Sequence, residues 1–220
     1  MASFPKEGKN RVRRRPDRGH YDKATVYGII DEAMLCHIGF VQDGEPFVIP
    51  VLHARKGDQL LVHGSSKSRL LKYLQAGNQV GVNITILDGI VLAKTVFNQS
   101  VNYRSVVLFG KGRLIEEQDE KMEALEHLTE RIMPGVWGAA RKPNETELKA
   151  TSIVSISLET ASAKIRSGPP KDDVEDQGLP VWAGVLPLKQ MIQTPISADY
   201  TDENMSIPDY VKNYISKKNK

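Results

Sequence analysis

The chain has a single cysteine, Cys36, so no intrachain disulfide can form. No apolar leader segment opens the sequence, and together these features favour a reducing, cytoplasmic setting. No apolar run approaches the roughly 18 residues of a membrane span, so a soluble protein without a membrane partner is expected. Net charge is scarce too, at +3 over 220 residues. The familiar catalytic signatures are missing: there is no G-x-S-x-G, no G-x-x-x-x-G-K-[ST], no H-E-x-x-H and no C-x-x-C. The five histidines are scattered, and His53 and His63 have no carboxylate or thiolate beside them. They read as structural or ligand-contacting groups, and no metal is expected.

The charge that is present is concentrated. Residues 1–25 hold eight Lys or Arg against three Asp or Glu, which leaves the body of the chain nearly neutral. The run Lys9 to Pro16 has no periodicity, so residues 1–20 read as a basic flexible arm. No aromatic residue interleaves its arginines, which favours a solvated tail or a dimer-clasping arm over a nucleic-acid contact.

Asp22 can cap a helix through about Ala33, with Ala24, Tyr27, Ile30 and Met34 on one face. Leu35 to Val41 reads as a strand and Asp43-Gly44 as a hairpin turn. Val80 to Ile86 and Gly89 to Val96 form two β-rich runs, and Tyr103 to Ile115 a long strand whose glycines suggest a bend. Asp119 to Ile132 is an amphipathic helix presenting Met122, Leu125, Leu128 and Ile132, Asn144 to Lys149 a short helix, and Ile153 to Leu158 an alternating strand. A helix is expected after Pro208. Five or six antiparallel strands in succession imply closure into a barrel, and cysteine 36 and the helix stripes read as core.

The stretch from Phe47 to Arg69 is the most informative. Val48-Ile49-Pro50-Val51-Leu52 is an apolar strand, Lys56-Gly57-Asp58 a turn, and Leu60-Leu61-Val62 a second strand. The loop His63-Gly64-Ser65-Ser66-Lys67-Ser68-Arg69 follows, just before an apolar-periodic helix that stops at Gly77. Serine hydroxyls, backbone N–H groups and cations suit a phosphate monoester. The same loop also reads as an ordinary helix cap on Ser65 or Ser66.

The order of these segments resembles the pyridoxamine 5′-phosphate oxidase-like FMN-binding split barrels, most closely the flavin-nucleotide-binding branch that includes nitroimidazole-resistance proteins. The carriers are His37 to Val41, Pro46 to Val51, the loop His63 to Arg69, Tyr103 to Gly110, Lys164 to Asp173 and Val181 to Val185. The resemblance implies a mainly β fold, a six-stranded antiparallel FMN-binding split barrel with flanking helices over residues 21–190, followed by a C-terminal extension over 191–220. It further implies a homodimer with one FMN at each subunit interface.

Carried over by position, Val48, Ile49, Pro50, Val51, Leu52 and His53 would lie along the flavin ring. His63 and Gly64 would flank the ribityl chain, and the loop matching Ser68 and Arg69 would hold the phosphate, with Ser65 and Lys67 of the same loop counted among the binding residues. Ser105 would match a polar flavin contact, with Arg104 counted beside it, and Trp182 a tryptophan near the ring. No histidine follows Trp182, so the substrate machinery of the true oxidase is missing and vitamin B6 oxidation is not expected. The resemblance then implies an FMN-dependent oxidoreductase acting on a small acceptor, with NADH or NADPH as reductant. The alternatives are a flavin-binding or storage module without turnover, and a haem-handling split barrel.

Overall fold

A computed structural model describes residues 2–219. Its centre is a closed ring of six antiparallel strands. Strands β2 (Leu35–Gln42), β3 (Glu45–Lys56), β4 (Gln59–Ser65), β5 (Gln79–Leu92), β6 (Ser100–Leu114) and β7 (Thr151–Ser157) pair in the order β6-β7-β4-β3-β2-β5, and β5 returns to β6. Strand β6 has to serve three neighbours. One edge runs along β5, while the other meets β8 (Thr160–Arg166) through Tyr103 to Phe109 and β7 through Gly112 to Leu114. The glycines sit where this division occurs. A Cβ on Gly110 would lie 2.5 Å from the Ser157 carbonyl oxygen, and one on Gly112 would collide with the Leu74 carbonyl, so only glycine lets the strand bend under its neighbours.

The expected turns form for the expected reasons. Asp43 and Gly44 have φ of 53° and 81°, the left-handed pair of a tight hairpin turn matched to strand twist. Gly77, at φ 75°, ends α2 (Arg69–Gln75). Helix α2 closes one end of the ring, burying Leu70, Leu71 and Leu74 among Ile38, Leu60, Val62, Val82, Leu108 and Ile156. A second, smaller core lies outside the ring, where α3 (Gln118–Ile132) covers Ala54, Leu61, Ile115 and Ile153 with Ala124 and Leu128. Cys36 is fully buried, and burial pushes its thiol up to about 12.

Several expectations are corrected. Helix α1 (Lys23–Glu32) is capped by the Asp22 carboxylate, which accepts from the Thr25 N–H at 2.8 Å. Its buried face, however, is Val26, Ile29 and Ile30, while Ala24 and Met34 are exposed. On α3 the apolar stripe is shifted in the same way: Ala124 and Leu128 are buried, with Met122 and Ile132 only half-buried. The two runs on either side of Leu87-Asp88-Gly89 are one strand, β5, with a bulge at Asp88. Strands β8 and β9 (Gly184–Pro187) are additional to those expected.

The basic arm is anchored on the barrel at particular residues, while Arg11 and residues 13–17 are exposed. Phe4 is buried and meets the Tyr27 ring edge-on at 5.9 Å. The Asn10 amide donates to the Pro5 carbonyl at 2.6 Å and to the Ala161 carbonyl at 2.8 Å. Strand β1 (Gly19–His20) then pairs with β8. Three apolar or polar anchors, spaced between the cations, hold a segment whose charge alone reads as disorder. At the far end a last helix (Asp209–Asn219) forms as expected, and its Asn219 amide is hydrogen-bonded to the Ile192 backbone.

Candidate functional site

Side chains alternate across a strand, so half of any strand faces the barrel interior and half faces away. On β3, Ile49 and Val51 pack on the interior core, and His53, 3% exposed, sits inside against the Ile30 carbonyl, its Nε2 at 3.0 Å. Burial holds the His53 imidazole below its ordinary pKa. Val48, 69% exposed, and the exposed Pro50 point outward, with half-buried Leu52 next in line. The six residues from Val48 to His53 therefore divide, and only Val48, Pro50 and Leu52 offer side chains to a ligand lying on the outer face.

The same rule divides β4. Gly64 faces inward, where an added Cβ would meet the Leu71 side chain at 3.1 Å. His63 and Ser65 face outward beside the β3 stripe. The His63 Nδ1 is buried with no hydrogen-bond partner, and desolvation lowers the pKa of the ring, which keeps a neutral imidazole at neutral pH. Across the ladder, β2 adds Leu35, His37, Gly39 and Val41, opposite Leu52, Pro50, Val48 and Pro46 of β3. The result is a broad, mostly apolar outer face with two histidines on it.

The loop from Ser65 to Ser68 uses its own backbone donors. The Ser66 N–H donates to the Ala150 carbonyl, the Lys67 N–H to the Ser65 hydroxyl and the Ser68 N–H to the Ser65 carbonyl. The residue at the N-cap is Ser68, not Ser65 or Ser66, and its hydroxyl makes no cap hydrogen bond. An anion here would thus be held by side chains, namely the Ser68 hydroxyl, Lys67 and Arg69, with little help from those three N–H groups. The Arg69 guanidinium lies 4.4 Å from the centroid of the Phe47 ring, and Phe47 stacks on Phe40 at 5.3 Å. Among the described residues neither Lys67 nor Arg69 is within salt-bridge reach of a carboxylate.

From this loop a groove of about 810 Å³ extends along α2 to the β2–β3 turn, lined by Val41, Gln42, Asp43, Lys67, Arg69, Lys72, Tyr73 and Asn78. Lys72, Tyr73, Asn78 and Gln42 escaped the sequence reading. Lys72 stands one helical turn after Arg69, the spacing that shares a face.

The remaining expected residues lie elsewhere. Arg104 projects into the mouth of the barrel, where its Nε and Nη2 donate to Asp88 at 2.9 and 2.7 Å and its guanidinium also pairs with Glu32. Two carboxylates saturate the fork and push the arginine pKa further up, so Arg104 is a structural cation and leaves the candidate site. Ser105 does face outward, donating to the Lys164 carbonyl at 3.3 Å, but β5 and β2 separate its strand from β3, three spacings or about 14 Å away. Trp182, 61% exposed, lies on a segment tied to Lys94, whose ammonium donates to the Leu179 and Val181 carbonyls. Within one chain neither residue meets the β3–β4 stripe.

This ring of strands, with its outer face and serine-rich loop, defines a split-barrel protein. The chain belongs to the pyridoxamine 5′-phosphate oxidase family, whose sequence model matches residues 22–165. Among solved structures it is similar to the flavocytochrome Anf3 from Azotobacter vinelandii, at 34% identity over 96% of this chain and 98% of that one, with a TM-score of 0.90. It is also similar to the FAD and heme binding protein from Mycobacterium smegmatis, at 32% identity over 89% and 96% of the two chains and a TM-score of 0.86. A putative 5-nitroimidazole antibiotic resistance protein from Bacteroides thetaiotaomicron shares the fold, at 21% identity over 66% and 84% and a TM-score of 0.56. No curated protein matches the chain. No helix among the described residues is long and apolar enough to cross a membrane.

Proposed function

We propose that the chain is a homodimeric flavin-dependent oxidoreductase that carries electrons from NADH or NADPH to a small acceptor. The observation that carries this reading is an apolar outer stripe on β3, Val48, Pro50 and Leu52, in the same barrel as a groove where the cations Lys67 and Arg69, without a salt-bridge partner among the described residues, stand beside Val41 of the neighbouring β2. A flavin nucleotide has the same polarity, a flat ring wanting apolar cover and a phosphate wanting a bidentate cation. Two similar solved structures, at 34% and 32% identity, are a flavocytochrome and an FAD and heme binding protein. The bound flavin supplies hydride and single-electron chemistry. The chain's own groups orient the ring, exclude water from it and hold its phosphate.

Exposure of the outer face supports the dimer. Leu35, Val41, Val48 and Val107 are between 37% and 69% exposed on it, a patch that a second copy would cover while bringing its own Trp182 or Ser105 toward the ring.

A second reading adds haem, as in a flavocytochrome and an FAD and heme binding protein. The residue that fits is His63, whose ring is neutral and has a buried, unpartnered nitrogen; a neutral imidazole is the usual haem ligand. Cys36, with its thiol pushed up to about 12, cannot supply a thiolate.

One purification tests both readings. Flavin released by denaturation, with a visible band bleached by NADH or NADPH and restored by an acceptor, is the expected result. Flavin that is never bleached by either nucleotide reduces the protein to a carrier, and a colourless preparation that takes up no added flavin overturns the assignment. A haem band that disappears in His63→Ala supports the second reading, and its persistence there removes His63 as ligand.

A further inference from the structure

Arg166, the last residue of β8, is a cation buried without a counter-ion. It is 8% exposed, and no carboxylate among the described residues is within salt-bridge reach of it. Among the described residues its guanidinium makes one hydrogen bond, from Nη1 to Asn102 Oδ1, which leaves Nε and Nη2 without an acceptor. Asn102 is held in turn, its amide donating to the Gly168 carbonyl at 3.1 Å. It aims the arginine without cancelling the charge. A charge buried in this way destabilises the fold unless an anion meets it.

A second cation is brought up to the first. The basic arm packs on β8 through β1, with Gly19 opposite Lys164, so Arg18 stands at the end of the strand that Arg166 terminates. Arg18 has no carboxylate within reach either. Burial, and then the charge of Arg18, lower the Arg166 pKa. The carboxylates nearest in sequence are engaged elsewhere: Asp17 pairs with Arg15 at 3.5 Å, and Asp172 accepts from the Lys94 backbone N–H at 2.9 Å. Two like charges are thus held together by the packing of Phe4 and Asn10, which anchor the arm against their repulsion.

We propose that Arg166 and Arg18 form a binding site for one dianionic phosphate group, supplied by a phosphate monoester or by free phosphate. A single carboxylate would neutralise only one of the two guanidinium groups. A phosphate brings up to two charges on one centre, and its oxygens fit the arginine fork in pairs. Tyr103 lies opposite Arg166 in the ladder, on the same side of the sheet, and its hydroxyl is a further donor. The site is separate from the Lys67–Arg69 loop, because β6 and β7 stand between β8 and β4. It goes beyond the flavin reading and does not depend on it.

The test is calorimetric titration of the full chain with inorganic phosphate and, separately, with glycerol 3-phosphate, accompanied by urea melts at constant ionic strength. Saturable binding is expected. Arg166→Gln and Arg18→Gln are each expected to weaken it about tenfold or more, with flavin affinity unchanged within about twofold. Without phosphate, Arg166→Gln is expected to match or exceed wild type in urea midpoint, since it removes an uncompensated charge. Tighter binding of the ester assigns the site to a phosphorylated metabolite, and tighter binding of the free ion to phosphate itself. Phosphate that stabilises wild type and both variants alike acts only by exclusion from the surface, and that result overturns the proposal. A lower urea midpoint in Arg166→Gln with phosphate affinity unchanged marks a structural arginine and overturns it too. An equal fall in flavin affinity in both variants gives the fork to the cofactor, which overturns the separate site and leaves the flavin reading standing. If Arg166→Gln does not fold, Arg18→Gln, on the half-buried edge of the arm, decides alone.

Discussion

The Arg69 guanidinium lies over the Phe47 ring at 4.4 Å, so the cation at the head of α2 is oriented by an aromatic side chain of β3 before any ligand arrives. A fork fixed in this way loses less freedom on binding an anion than a free lysine does. Arg69→Ala is therefore expected to weaken flavin binding more than Lys67→Ala. A charge-assisted contact of this kind contributes about 1.5–3 kcal/mol, or on the order of tenfold or more in affinity. Fluorescence titration that ranks Lys67→Ala as the more damaging change would contradict this.

Arg104 predicts a stability effect without a binding effect. Its fork holds Glu32 and Asp88 together at the barrel mouth, and the hydrogen bond from Arg104 keeps the Glu32 carboxyl below its ordinary range. Arg104→Ala leaves two like charges facing each other. With all three groups partly exposed, the expected loss is about 1–2 kcal/mol at neutral pH. The sign with pH follows from linkage. A folded-state pKa that is depressed gives stability present above the unfolded carboxylate value and lost as pH falls through the folded one. The gap between wild type and variant, read from urea midpoints, should thus narrow on acidification below the carboxylate range, with flavin affinity unchanged throughout.

The contrast between these two arginines explains what the sequence could and could not say. Alternation and turn chemistry were legible: Asp43-Gly44, Gly57 and Gly77 adopt the positive φ expected of them, and β2, β3 and β4 fall where their apolar patterns put them. The order of strands, the long glycine-bearing β6 and the serine loop were enough for the family. Strand β8 was not, because Thr-Ala-Ser-Ala-Lys-Ile-Arg is rich in small residues whose strand preference is weak and owes its conformation to the edge of β6. The role of Arg104 was hidden because its partners Glu32 and Asp88 are remote in sequence. His53 resembled a ligand contact until its strand parity placed it inside the ring. The anchors of the arm, Phe4 and Asn10, were hidden behind its net charge, because only the folded barrel reveals their burial.

Packing of the arm gives a prediction of its own. Asn10 is 1% exposed and its amide serves the Ala161 carbonyl of β8. Asn10→Ala leaves that buried acceptor unpaired and is expected to cost about 1–3 kcal/mol, and removal of residues 1–20 should lower the urea midpoint further by exposing Ala161 and the edge of β8. A truncated chain with unaltered stability would show that these contacts contribute nothing measurable.

Gly112 is expected to tolerate nothing larger. An added methyl would strike the backbone carbonyl of Leu74 at the end of α2, and a backbone group cannot swing aside as a side-chain terminus does. Gly112→Ala should destabilise by about 1–3 kcal/mol through overpacking. Gly28, with open space where its Cβ would sit and a helical position in α1, provides the control: Gly28→Ala should stabilise by about 0.4–1 kcal/mol. Paired urea melts of the two variants that shift in the same direction would refute the steric argument.

The dimer is tested at Val48. This side chain is 69% exposed in one copy and stands at the centre of the outer stripe, opposite Gly39 of β2, so nothing inside the protomer depends on its being apolar. If a second copy covers the face, Val48→Glu forces a carboxylate into the contact without a partner, and a buried unpaired charge of that kind costs several kcal/mol. The variant is expected to fold, with an unchanged far-ultraviolet spectrum, yet to sediment as a monomer at concentrations where wild type is a dimer. Because Val48 also lies on the face proposed for the flavin, the comparison belongs to flavin-free protein, in which loss of cofactor cannot be the cause of dissociation. A Val48→Glu protein that remains dimeric moves the interface elsewhere, and a wild-type protein that is monomeric at micromolar concentration removes the shared site altogether.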